Sequence, residues 1–455
     1  MASHSRPGRA RPSVMSRLLA GLAFGLPAAA SALTVGQAFD AALQNDAQFR
    51  GAAHELQAVR EGVTIARAAL LPSASFVAGQ TNVIGTRTFP NALNQEVRVQ
   101  QNYEAPQVSL TVRVPLLNFD GLAGEKQAEA QVAVAEEQYR AVGVELVDRL
   151  ATAYLQLQQA QEVRGMIAAT VAASETQLLQ ARQREARGEG TRVQVAQALA
   201  ALAVARSRAI EAELQIGLAQ RQMTRITGVA EPVLPADPTV SEPPPEVVPL
   251  SDWFSAAMAN SPAVRVRQRV VELARATVRR QYAGHLPRVD AFASVSRAEN
   301  ESVTNLGQTS QLRSLGVQLN VPLYSGGAVS AAVRQALARQ SQAEEELRAE
   351  RELVMLEVQR QWQVFQASSS RLLAIKEALL AADLATLGAG RALATGQGTL
   401  GEVAEAESMA QTVRRELVTA RTDALQARVR LQVRSGVEMA DIVADLASVL
   451  TQGFK

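Results

Sequence analysis

The residues best placed to do chemistry in this chain follow a pair of glycines. Gly396-Gln-Gly398-Thr399 interrupts a long helical pattern, and Glu402 and Glu405 come soon after it. Acids three apart share one face of a helix and concentrate negative charge there. Glu402 also has a structural explanation. Thr399-x-x-Glu402 is the spacing of a capping box, in which the two side chains satisfy the first free amides of a helix. The helix dipole favours an acid at that end as well. Capping does not account for Glu405. The same construction stands earlier, at Gly188-Glu-Gly190-Thr191, with Gln194 in the place of Glu402.

Other chemistries find no support. The three histidines, His4, His54 and His285, lack metal-ligand spacing. Gly396-x-Gly398-Thr399 lacks the lysine of a phosphate loop, and the whole chain holds three lysines. No nucleophile is paired with a base. No catalytic residue, metal or cofactor is therefore expected, and the 4% aromatic content argues against an aromatic-filled enzyme core. The basic isoelectric point, about 9.1, is misleading. Residues 1–32 hold Arg6, Arg9, Arg11 and Arg17 and no acid; the remainder is slightly acidic. No basic patch interleaved with aromatics occurs, which argues against a nucleic-acid partner.

Residues 1–32 read as a secretory signal peptide. Arginines come first, then an apolar run from Leu18 to Ala30, then the small-x-small site Ala30-Ser31-Ala32. Cysteine is absent, so an exported chain of this kind is held by packing or oligomerisation. It also has no cysteine to carry a lipid. No run of about 18 apolar residues follows the signal, so no transmembrane helix is expected.

The elements that position the two glycine turns occur twice. Residues 33–230 form a first structural repeat, a proline-rich linker covers 231–249, and a second repeat covers 250–436. A C-terminal amphipathic segment covers 437–455. Each repeat opens with a short amphipathic helix ending at Asn45 or Asn260. A second helix follows and stops at Leu71-Pro72 or Leu286-Pro287, where proline ends it. Period-2 alternation then marks strands. Ala74, Phe76 and Ala78 lead in the first repeat, and Val108, Leu110, Val112 and Val114 return after a polar stretch, about 82–105, read as a loop. Val289 to Val295 and Leu315 to Val321 repeat this around a second polar stretch, about 297–312. Both strand pairs end in Val-Pro-Leu, at Pro115 and Pro322. Very long helices come next, about 120–187 and about 328–394. Leu146, Leu150, Ala153 and Leu157 recur at threes and fours in the first; Val358, Phe365, Leu372 and Leu379 recur at sevens in the second. This is coiled-coil patterning. At 1.5 Å per residue each helix is about 100 Å long, close to the combined length of the helix before the strands and the one after the turn.

Four apolar/polar strands of about ten residues suit a bilayer-spanning barrel, but about eight strands are needed to close one. Open edges in lipid would leave amides unpaired at several kcal/mol each. Either the strands lie outside a membrane, as in a secreted coiled-coil adhesin or structural protein, or several chains share one barrel.

The duplicated order of elements, the Leu-Pro and Val-Pro-Leu junctions and the Gly-x-x-Thr turns together resemble the TolC family of outer-membrane export channels, from Leu33 to about Gly436. The resemblance implies an α+β membrane protein of the outer membrane with a periplasmic extension. It would be a homotrimer, with a twelve-stranded transmembrane β-barrel in lipid above a periplasmic α-barrel of long coiled-coil helices. It implies partners: a periplasmic adaptor (membrane fusion protein) and an inner-membrane ABC transporter or proton-driven pump. The missing lipidation cysteine resembles the type I protein secretion branch, with multidrug efflux as the alternative. By the same resemblance Glu402 and Glu405 form the pore constriction, and Gly188, Thr191, Gly396 and Thr399 form the adaptor-docking tips. The tyrosine and arginine that latch the tip in well-known members are replaced by Leu393 and Gly398, and the facing threonine–aspartate pair by Val193 and Gln194.

Overall fold

The structure, a computed structural model, describes residues 33–90, 92–230, 248–302 and 305–451. The expected signal peptide and most of the linker lie outside them. The element order is α1 (Val35–Asn45), α2 (Ala47–Ala68), β1 (Ser73–Pro90), β2 (Glu96–Asn118), α3 (Phe119–Ala186) and α4 (Arg192–Thr227). The second half repeats it as α5 (Leu250–Asn260), α6 (Pro262–Ala283), β3 (Arg288–Ser302), β4 (Asn305–Asn320), α7 (Ala328–Ala394) and α8 (Leu400–Ser435), and α9 (Met439–Thr451) closes the chain. The fold is thus an internal duplication. No helix among the described residues is long and apolar enough to cross a membrane.

Local chemistry sets the joints. Thr34 and Gln37 form a capping box on α1. Asp46 caps α2 by accepting from the Phe49 amide at 2.8 Å, and Arg149 of α3 grips the same carboxylate at 3.0 Å. At the strand–helix joint, Asn118 accepts from the Gly121 amide at 3.0 Å and donates to the Ala69 carbonyl at 3.0 Å. Gly121 is required there, since a Cβ would lie 2.7 Å from Asn118 Nδ2 and 2.8 Å from Leu70 Cδ2.

α2 and α4 both pack on α3, and α6 and α8 both pack on α7, so two shorter helices flank each long one as their lengths suggested. α3 also packs on α6 and α8, which joins the repeats side by side. The coiled-coil seams are real: Leu146, Leu150, Ala153 and Leu157 are buried on α3, as are Val358, Phe365 and Leu372 on α7. Around them the short helices form a belt. α1 and α9 complete one core with α3, α4 and α8, through Met223, Ile226, Ile442 and Leu446. α5 completes another against α7 and α8, through Ala257 and Leu431.

The four strands form one antiparallel sheet in the order β1-β2-β3-β4. The strands exceed expectation. β1 has 18 residues, β2 23, β3 15 and β4 16, and most of the stretches read as loops, 82–105 and 297–312, is paired strand. Backbone pairing continues there although the face that is apolar nearer the helices turns polar and Val83, Phe89, Val97 and Val99 fall on the other; Gln80 donates to Glu104 across the strands at 2.6 Å. β2 also runs through Pro115 to Asn118 by a register shift against β3. Bulges accommodate proline in this way.

α9 is held by a polar clamp as well as its apolar face. Asp445 accepts from Arg428 Nε at 2.8 Å and from Gln432 at 2.8 Å. Burial alone would raise its carboxyl, but the hydrogen bonds from Arg428 and Gln432 outweigh burial and hold it below its ordinary value of 3.8. A lowered folded pKa stabilises the fold above that value and loses its effect as pH falls below it. Asp445→Asn should therefore lower stability by about 1–2 kcal/mol at pH 7. Thermal unfolding near pH 3 should show the two proteins converging; an equal deficit at both pH values would mean the clamp acts by shape alone.

Candidate functional site

The two glycine turns lie at the ends of the helical hairpins α3–α4 and α7–α8, opposite the sheet, and they are built alike. After α3, Gly188 has φ +77°; after α7, Gly396 has φ +73°. Both sit in the left-handed region that glycine enters without steric cost. The Glu189 and Gly190 amides donate to the Arg184 carbonyl at 2.9 and 3.1 Å. Gln397 and Gly398 donate to the Ala392 carbonyl at 2.9 and 3.0 Å. These bonds close the last turn of each long helix. Thr191 and Thr399 then restart the chain as helix caps with nearly identical backbone angles, and each forms its capping box, with Gln194 and Glu402 respectively.

The second glycine of each pair matters for a reason that spacing does not reveal. A Cβ on Gly190 would lie 3.0 Å from the Glu185 amide nitrogen, and one on Gly398 3.0 Å from Ala392 Cβ. Gly188 and Gly396 have open space around them. The first glycines therefore permit the backbone angle, and the second permit close approach.

Glu402 accepts from the Thr399 amide at 3.0 Å, so one of its oxygens is engaged in the cap. Glu405 is exposed one turn on and makes no hydrogen bond or ion pair among the described residues. The fold thus brings both acids to the start of α8, one tied and one free. No group of side chains suited to a metal ion occurs among the described residues.

Between tips and belt, the two hairpins are joined and then part. Arg421 of α8, buried, pairs with Glu162 of α3. Burial pushes the Glu162 carboxyl up against the opposing pull of Arg421. Gln159 donates to Thr419 beside it at 3.1 Å. Nearer the tips a cavity of about 790 Å³ opens between α3, α4 and α8, lined by Thr170, Ser174, Arg208 and Gln411. Sequence reading did not single out the Glu162–Arg421 pair, because its partners are 259 residues apart.

Long paired helices carrying a four-stranded sheet with one apolar face define the class of outer-membrane channel proteins. The chain belongs to the outer membrane efflux protein family, whose sequence model matches residues 38–229 and 253–437. It is 29% identical over 411 residues to the proteases secretion protein PrtF of Dickeya chrysanthemi, covering 90% of this chain and 89% of that one. It is 27% identical to the alkaline protease secretion protein AprF of Pseudomonas aeruginosa, covering 90% and 85%. Its fold matches the CmeC outer membrane channel of Campylobacter jejuni with a TM-score of 0.73 at 12% identity, covering 92% of this chain and 90% of that one. The protein is an outer-membrane transport channel.

Proposed function

We propose that three copies assemble into one channel-tunnel that passes secreted protein from an inner-membrane ABC transporter, through a periplasmic adaptor, to the exterior. The observation that carries this reading is the open sheet seated on helices about 100 Å long. Among the described residues β1 and β4 each pair with one strand. Three copies joined β4 to β1 would close a twelve-stranded barrel and leave no edge in lipid. α7 carries a second heptad, Leu373, Leu380 and Leu387, each about 60–70% exposed. This supports a neighbouring copy along that face. The protease-secretion names of the two relatives support a protein cargo.

In this assembly the face bearing Phe76, Leu110, Ala293, Leu315 and Val317 meets lipid. The register places these residues on one side and Ser75, Thr111, Ser294 and Ser314 on the other. Arginine at Leu315 should cost roughly 2–4 kcal/mol near the midplane, whereas arginine at Thr111 should be tolerated. Heat-modifiable trimers in outer-membrane fractions are the readout. Equal loss for both variants would rule out the assignment of faces.

The tips Gly188–Thr191 and Gly396–Thr399 would meet the adaptor. Open space around Gly188 and Gly396 leaves room for a partner's side chains. Tryptophan at either position should stop secretion while trimers persist, and asparagine, which tolerates the left-handed backbone, should be milder. Loss of trimers with both substitutions would make these glycines purely structural.

Three copies of Glu402 and Glu405 would ring the tunnel end. Such a ring favours cations. Single-channel recording should show weaker cation preference for Glu405→Gln, whose wild-type side chain has no capping duty. Glu402→Gln should act similarly without loss of helix stability, since glutamine also closes the capping box. Unchanged selectivity in the double variant would place the constriction elsewhere.

A further inference from the structure

The apolar face of the sheet should exclude charge, yet two arginines stand on it as neighbours. Arg313 of β4 lies opposite Val295, and Arg297 of β3 lies opposite Gln311. The two are therefore diagonal partners on adjacent strands, on the same side as Ala293 and Leu315, with Cβ atoms roughly 7 Å apart. Arg297 meets Glu299 at 3.5 Å. Arg313 makes no hydrogen bond or ion pair among the described residues. Glu299 thus answers Arg297, and Glu104 farther out on the same face is engaged by Gln80, which leaves Arg313 as the guanidinium without a carboxylate partner among the described residues.

Beside Arg313 the sheet surface is hollowed. A depression of about 290 Å³ is lined by Leu110, Val112, Ala293, Val295, Leu315 and Arg313. Its cause is the small side chain of Ala293, set among larger residues: Val112 and Leu315 are its partners on the adjoining strands. The hollow is apolar on its floor and cationic at its rim.

Position along the strands decides what can fill it. Arg313 is six residues from Leu319, and Arg297 eight from Val289, both counted away from the helices. Those spans are about 20 and 27 Å along a strand. With an ordinary barrel tilt they rise about 15–20 Å through an apolar band about 25 Å tall. By that count Arg297 stands within snorkelling reach of the headgroup level, and Arg313 stands deeper, its long side chain free to extend toward Arg297 on the side away from the helices. Arginine costs less toward that side of the band than at the midplane. The planar fork of arginine matches phosphate oxygens in pairs.

We propose that Arg297, Arg313 and the hollow at Ala293 bind a phosphorylated glycolipid of the outer leaflet, with its phosphate on the two guanidinium groups and an acyl chain in the hollow. A free anion would satisfy the rim and leave the apolar floor empty. The assignment rests on the reading that this face of the sheet meets lipid.

Native mass spectrometry of detergent-purified trimers tests it, with bis-phosphorylated lipid A, phosphatidylglycerol and inorganic phosphate as separate probes. Wild type should retain lipid A at least tenfold more tightly than phosphatidylglycerol, and inorganic phosphate only weakly. Arg297→Gln with Arg313→Gln should reduce lipid A retention at least tenfold, and Ala293→Leu, which fills the hollow, should reduce it as well. Arg113→Gln, on the opposite face, should change nothing. Undiminished retention in the double glutamine variant overturns the clamp while leaving the lipid-facing sheet intact. Equal binding of phosphatidylglycerol overturns the glycolipid assignment, and phosphate binding as tight as lipid A reduces the pair to a plain anion site. If wild type retains no lipid and Leu315→Arg still assembles, the lipid-facing reading fails together with the clamp.

Discussion

An amide left unpaired in hydrocarbon costs several kcal/mol, and a four-stranded sheet has two full edges of them. Much of the molecule can be understood from that constraint. β1 and β4 each have one partner strand, so one chain is an incomplete wall. The proposed trimer closes the wall, and it also gives the exposed leucine heptad of α7 a surface to bury. The same edges that would make a lone chain prone to aggregation would make the proposed assembly specific, because each edge would find a matching one.

The sheet and the helices are coupled through short, rigid joints. β2 passes into α3 with no loop between them, and Asn118 ties that junction to the end of α2. β4 reaches α7 through a turn of two left-handed glycines, Gly326 and Gly327. Strand tilt is therefore passed on to helix direction. Farther down, the belt of α1, α5 and α9 fixes the middle of the helices. Beyond Glu162 and Arg421 the hairpins part around a cavity. Packing therefore loosens toward the tips.

Much of this was legible in the residues because local rules suffice for it. Threonine, glycine and proline mark helix ends through hydrogen bonds made within a few residues, so α4 begins after Thr191 and α8 after Thr399, as read. Heptads at Val358, Phe365 and Leu372 named the buried side of α7. The outer halves of the strands were not legible. Between Gln80 and Asn102 the face that is apolar nearer the helices turns polar while Val83, Phe89, Val97 and Val99 fall on the opposite face, so the alternation changes phase and no longer marks one continuous strand. The role of Gly190 and Gly398 is not visible in their spacing, since close approach depends on where the preceding turn lies.

By itself the sequence determined the elements, their duplication and the chemistry of the turns, because each of these depends on contacts within one or two helical turns. Only the tertiary structure decided which strands adjoin, that α9 docks on the belt through Asp445, and that Arg421 finds Glu162. It also decided that Arg297 and Arg313 become neighbours. These partners are far apart along the chain, and register and packing are settled only when the two repeats are laid side by side.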